Sequence, residues 1–142
     1  MEVNNNIINK EIKYDNGRYV GQVVNGLREG KGIFYWNSGN RYEGEYRNDK
    51  MEAKGIYYFN SGDRYEGDYR NDKKEGKGIY YFNTEPWKGD RYEGDYRNGK
   101  FEGKGIYYYN SGDRMMGDYS NGNPIGKHVT LTKNGEVKTN NY

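Results

Sequence analysis

The chain repeats itself every 23 residues, and no other feature constrains its fold as much. Five tripeptides carry the register: Tyr19-Val20-Gly21, Tyr42-Glu43-Gly44, Tyr65-Glu66-Gly67, Tyr92-Glu93-Gly94 and Met115-Met116-Gly117, spaced by 23, 23, 27 and 23 residues. The long interval has one source. Asn83-Thr84-Glu85-Pro86-Trp87-Lys88-Gly89-Asp90 stands where the flanking copies have only Asn-Ser-Gly-Asp. A chain organised this way stacks like units, each touching its neighbours alone.

One unit reads Tyr42-Glu43-Gly44-Glu45-Tyr46, Arg47-Asn48-Asp49-Lys50, Lys54-Gly55-Ile56-Tyr57-Tyr58-Phe59 and Asn60-Ser61-Gly62-Asp63. Two short aromatic runs bounded by Asn, Asp, Gly and Ser predict one β-hairpin per unit. Asn-Ser-Gly suits a three-residue loop with the glycine left-handed. No apolar stripe of period 3.6 is sustained, so no substantial helix is expected.

Alternation assigns the faces. Tyr42, Gly44 and Tyr46 share one side with Gly55, Tyr57 and Phe59. Arg41, Glu43, Glu45 and Arg47 share the other with Lys54, Ile56 and Tyr58. If Phe59 and Asp63 flank the loop, Tyr57 lies opposite Tyr65 and Gly55 opposite Gly67. One face becomes rows of aromatics and glycines. The other is charged, with a thin band of Ile33, Ile56, Ile79 and Ile106. A tyrosine ring lying across a neighbouring glycine covers its bare backbone. Its hydroxyl still reaches water. A single twisted layer can then be stable.

The expected fold is therefore all-β: an elongated single-layer antiparallel sheet of consecutive hairpins. The array spans 12–138, with a half-repeat at 12–18 and repeats starting at 19, 42, 65, 92 and 115. Residues 1–11 and 139–142 read as tails. Strands at about 4.8 Å give about 10 Å per repeat and a ribbon roughly 50 Å long. The last unit reads as a cap: His128 replaces the second glycine of Gly-x-Gly, and Thr130, Leu131 and Thr132 replace three tyrosines. It closes on the turn Asn134-Gly135. An Asn16-Gly17 turn opens the array.

Composition supports a sheet. Mean hydropathy is −1.38, which taken alone leans towards disorder, but 17% of residues are aromatic. It also excludes several chemistries. There is no cysteine, hence no disulfide framework, thiolate-bound zinc or thiol nucleophile. The one histidine, His128, can form no histidine pair. A net charge of +2 argues against nucleic-acid binding. The start, Met1 to Ile8, has no basic region or long apolar run. No stretch reaches about 18 apolar residues. A cytoplasmic protein is the expectation.

The pattern resembles the MORN repeat (membrane occupation and recognition nexus). The fourth copy carries the motif most fully, in Tyr92, Gly94, Tyr96, Asn98-Gly99-Lys100, Gly103, Gly105, Tyr107 and Gly112. There are departures. Asp49 and Asp72 replace the turn glycine, Ala53 the first glycine of Gly-x-Gly, and Met115 the leading tyrosine. The family's usual tryptophan is Tyr46, Tyr69, Tyr96 and Tyr119 here, and Val23 in the first copy. The resemblance implies a non-catalytic scaffold without cofactors, holding a peptide or helix along a groove at cytoskeletal or membrane assemblies, and able to dimerise.

The residues themselves offer little chemistry. Gly94-x4-Gly99-Lys100 imitates a phosphate loop, but Phe101 stands where Ser or Thr would hold the metal ion. The Glu43/Glu45 and Glu66/Asp68 pairs alternate with arginines, which reads as cross-strand ion pairing. No catalytic or metal-binding residues are expected. The aromatic face is the candidate partner surface, through Tyr57, Phe59, Tyr65, Tyr80, Phe82, Tyr92, Tyr107 and Tyr109, with Trp87 as an anchor on the inserted loop. The alternative is a lysine-rich hairpin edge of Lys50, Lys73, Lys74, Lys77, Lys100 and Lys104 facing anionic lipid. Exposed end strands make a homodimer a further expectation.

Overall fold

The structure, a computed structural model, describes residues 6–142. Twelve strands follow one another: β1 Ile8–Tyr14, β2 Gly17–Val24, β3 Leu27–Trp36, β4 Arg41–Arg47, β5 Lys50–Tyr58, β6 Arg64–Arg70, β7 Lys73–Tyr81, β8 Arg91–Arg97, β9 Lys100–Tyr108, β10 Arg114–Ser120, β11 Asn123–Leu131 and β12 Val137–Asn141. They form one antiparallel sheet in strict sequence order. Among the described residues there is no helix. The expected all-β ribbon of consecutive hairpins is what the chain adopts.

Register agrees with the alternation reading. Tyr57 pairs with Tyr65 and Gly55 with Gly67. The loop closes with Phe59 N–H on Asp63 O at 3.0 Å, and Gly62, at φ 98°, donates to Phe59 O at 2.9 Å. The inserted loop closes the same way, Phe82 N–H on Asp90 O and Gly89 N–H on Phe82 O. Four extra residues therefore bulge outward without disturbing the ladder. Five further turns, at 25–26, 48–49, 71–72, 98–99 and 121–122, are two-residue turns with both residues at positive φ, such as Asn48 (48°) and Asp49 (70°). That is the hairpin geometry matching strand twist. The turn that opens the array is Asp15-Asn16 and not the expected Asn16-Gly17: Gly17 already pairs with Tyr14 in the ladder, and neither turn residue has positive φ.

The array reaches further than the sequence placed it. Ile8–Glu11, expected in a tail, pair with Val20–Val23. Thr139–Asn141 pair with Lys127–Val129. Edge ladders recruit any extended segment whose N–H and C=O groups find partners, whatever its departure from the motif. The part of the expected tail at 1–5 lies outside the described residues.

The core sits on the aromatic face. Tyr19, Tyr42, Tyr65 and Tyr92 are wholly buried, and Tyr46, Tyr69, Tyr96 and Tyr119 nearly so. Their rings meet edge to face in a zigzag: Tyr42 contacts Tyr46 and Tyr69, Tyr65 contacts Tyr69 and Tyr96, with centroids 5.0–5.3 Å apart. This is the arrangement the ring quadrupoles favour. Each leading tyrosine lies flat over the glycine of the next strand. A Cβ on Gly55 would stand 2.3 Å from the Tyr42 ring. The Tyr42 hydroxyl then donates to Glu45 O at 2.8 Å, and Tyr65 to Asp68 O at 2.8 Å. Val23, at the first copy's tryptophan position, is also buried.

The last unit rebuilds this contact from the opposite strand. Met115 has no hydroxyl, so Asp118 O would lack its donor. His128, wholly buried, lays its ring over Gly117 and puts Nε2 2.8 Å from Asp118 O. The Tyr142 ring packs against it at 5.0 Å. His128 thus does a tyrosine's work in the cap.

The other face differs from expectation in detail. Arginine and glutamate pair two residues apart on one strand, Arg91 with Glu93 at 3.1 Å and Arg41 with Glu43 at 3.5 Å. Across strands the arginine that opens β4, β6 or β8 stacks on a tyrosine, Arg41 on Tyr58 at 4.1 Å, Arg64 on Tyr81 at 4.2 Å and Arg91 on Tyr108 at 3.8 Å. The cross-strand ion pairs use lysine instead: Lys54 with Asp68 and Lys77 with Asp95. Direct register decides this, because arginine faces tyrosine across the ladder.

Candidate functional site

A second rank of rings runs beside the buried zigzag. From Trp36 the centroids pass to Tyr57 (5.1 Å), Phe59 (4.7 Å), Tyr80 (5.7 Å), Phe82 (4.7 Å), Tyr107 (5.9 Å) and Tyr109 (4.8 Å). Strand alternation puts a ring near the end of β5, β7 and β9 and the ring that starts the following loop on the same side. These rings are partly exposed, and Tyr109 is 38% exposed. Trp87 branches from the row, 6.4 Å from Phe82 and 53% exposed. At the other end Phe34 is buried beneath Tyr14 and Arg28.

Loop residues hold the row in place. Tyr80 Oη donates to Asp63 Oδ2 at 2.8 Å, Tyr107 Oη to Asp90 Oδ2 at 2.7 Å, and Asn40 Nδ2 donates to Tyr57 Oη at 3.2 Å. The same loop residues accept the first N–H of the next loop, Asn83 on Asp63 and Asn110 on Asp90, both at 2.7 Å. One side chain thus fastens a ring and staples two repeats. Burial raises the Asp63 carboxyl, but its bonds from Asn83 N–H, Tyr80 and Thr84 outweigh that and hold it below the ordinary 3.8. Burial pushes the Tyr19 phenol up to about 12, and those of Tyr42, Tyr65 and Tyr92 higher. These buried rings stay neutral beneath the outer row.

Of the predicted partner residues, Tyr57, Phe59, Tyr80, Phe82, Tyr107 and Tyr109 lie together in the outer row, with Trp87 beside it. Tyr65 and Tyr92 do not. Both are wholly buried over Gly78 and Gly105 and present no surface to a partner. Alternation places all of them on one face, but only packing separates a ring lying on glycine from one standing at the loop. Trp36 was missed, although it precedes Phe59 by one period.

The predicted lysine edge is not one surface. Lys77 pairs with Asp95 on the charged face, and Lys104 occupies the corresponding strand position. Lys74 turns into the aromatic face, 5.2 Å from the Tyr80 ring centre. Lys50, Lys73 and Lys100 remain at the hairpin tips. There each sits directly across from an arginine: Arg47, Arg70 and Arg97. The six cations are exposed, and none forms an ion pair among the described residues.

The family comparison agrees with the geometry. The sequence profile of the MORN repeat matches residues 19–41, 42–64, 65–84 and 92–114. Comparison with curated proteins returns no match. Among solved structures, the chain is similar to the SAS-4 (dCPAP) TCP domain of Drosophila melanogaster, solved in complex with a proline-rich motif of Ana2 (dSTIL). Identity is 12% and the TM-score 0.45, over 94% of this chain and 90% of that one. With four profile matches over most of its length, and tyrosines lying on glycines in every one of them, the chain belongs to the MORN-repeat family.

Proposed function

We propose that this chain is a non-catalytic scaffold that holds a protein partner, a peptide or a helix, along its outer aromatic row. The continuity of that row carries the reading. Rings from four repeats touch one another, and no second layer covers them among the described residues. Apolar strips of this kind mark interaction surfaces. Hydroxyl anchors limit the ordering cost of binding. Replacing Phe59 and Phe82 by serine is expected to abolish affinity capture of partners from cell extract while the far-ultraviolet spectrum stays unchanged. Identical capture by the folded variant would refute the row as the working surface.

A second reading has its own observation. Three unpaired arginine–lysine pairs stack along the hairpin tips, about 10 Å apart. Like charges directly opposite one another disfavour the sheet. Each cation near an anionic membrane contributes about 1 kcal/mol. On this reading the chain pellets with phosphoinositide vesicles at low salt but not at high salt. The Arg70→Glu, Lys73→Glu variant stays in the supernatant. Pelleting that ignores salt and substitution would end it.

A further inference from the structure

Four of the two-residue turns lay their second residue against the strand of the preceding repeat, the last of them Gly122, whose N–H donates to Phe101 O at 2.9 Å. Asp49 N–H donates to Arg28 O at 3.0 Å, Asp72 to Met51 O at 3.1 Å, and Gly99 to Lys74 O at 3.0 Å. In the first two contacts a carboxylate comes with the backbone. Asp49 Oδ1 accepts from Arg28 Nε at 2.7 Å and from its N–H at 3.2 Å. Asp72 Oδ1 accepts from Met51 N–H at 2.8 Å. The third contact has a cation, Lys74, in the strand position of Arg28, and offers it Gly99. The seat is built and the carboxylate is missing.

Lys74 shows the consequence. No acid pairs with it among the described residues. Its ammonium rests among the rings of Phe59, Tyr65 and Tyr80, 5.2–5.3 Å from their centres. Ring faces offset part of the lost hydration. Burial still lowers its pKa from the ordinary lysine value. Beside it opens a depression of about 200 Å³, walled by Phe82, Tyr96 and Phe101, with Lys100 at its rim. Apolar wall and uncompensated charge adjoin.

We propose that Lys74 and the vacant place beside Gly99 form a recognition pocket for an aspartate or glutamate of a partner protein segment, whose neighbouring apolar side chain enters the depression between Phe82 and Phe101. This rests on the partner-binding reading of the aromatic row and adds the chemistry of the occupant. Charge complementarity selects it. The cation lacks an anion that the equivalent cation in the first copy receives from its own chain, and the adjoining wall is apolar.

The test uses the full chain and a display library of random dodecapeptides. Wild type is expected to enrich peptides carrying Asp or Glu beside an aromatic or aliphatic residue. Changing that acid to its amide in a synthesised winner weakens binding at least tenfold. Gly99→Asp restores the chain's own carboxylate and is expected to abolish the enrichment. It should fold: Gly99 has φ 80°, where Asp49 (70°) and Asp72 (67°) already sit, and a Cβ there meets nothing within 4 Å. Lys74→Met, the residue of the preceding copy, removes the charge and is expected to weaken binding equally. Winners without an acid, retained by Gly99→Asp but lost with Phe59→Ser and Phe82→Ser, overturn the pocket and leave the row standing. Absence of any enrichment overturns both.

Discussion

At the scale of single residues, the array depends on rings and glycines meeting without slack. Gly55 receives the Tyr42 ring so closely that a Cβ would stand 2.3–2.6 Å from three of its atoms. Gly55→Ala must lift the ring off the sheet, since the strand cannot move without losing its ladder. We expect a loss of about 1–3 kcal/mol, read by thermal or denaturant unfolding. Asp63 supplies a pH dependence. Its folded-state pKa lies below the ordinary 3.8, so its stabilisation is complete above about pH 5 and is lost as pH falls through the folded value. Asp63→Asn should cost about 1–2 kcal/mol at neutral pH, and the gap to wild type should close below pH 4. Parallel stability curves down to pH 2 would show that the carboxylate is not the staple.

At the scale of one element, the last hairpin exchanges the two halves of a contact. Elsewhere a tyrosine on the first strand covers a glycine on the second. Here Met115 stands on the first strand and His128 on the second, and the histidine ring covers Gly117. Each single reversion is expected to harm. Met115→Tyr brings in a ring whose seat His128 occupies. His128→Gly leaves a cavity and an unmet Asp118 carbonyl, costing about 2–5 kcal/mol. The double change rebuilds the ordinary repeat. A double-mutant cycle by denaturant unfolding should give a favourable coupling of about 1–3 kcal/mol. Simple additivity would mean that the two positions do not compensate each other.

At the scale of the molecule, strands neighbour one another in strict sequence order among the described residues, so stability accrues repeat by repeat. Excising residues 42–64 removes one whole period and joins Arg41 to Tyr65, as Arg64 is now joined. The shortened chain is expected to fold into ten strands with a lower unfolding midpoint, read by circular dichroism and by a shorter particle in small-angle scattering. Unfolding of the excised chain would mean that the array is one indivisible unit. The aromatic row spans the middle repeats, so the same excision shortens it by Tyr57 and Phe59.

Much of this was legible beforehand, for reasons tied to particular residues. The 23-residue spacing, Asn-Ser-Gly loops and Tyr-x-Gly strands are local, and local geometry sets hairpin, register and face. Hence Tyr57 could be placed opposite Tyr65 without coordinates. The strand character of Ile8–Glu11 and Thr139–Asn141 was not legible, because it comes from the neighbouring ladder and not from their own pattern.

The sequence by itself determined the fold, the period, the two faces and the absence of disulfide and thiol chemistry, because each follows from residue type and spacing. Only the tertiary structure decided which rings are surface. Tyr65 lies flat on Gly78 and is buried, while Phe59 stands at the loop and remains accessible. It also set Lys74 against Gly99, which lie 25 residues apart and meet only when one hairpin stacks upon the next. A periodic pattern states what each unit is. What two units do together depends on where each departs from the pattern, and those departures acquire meaning only across the contact.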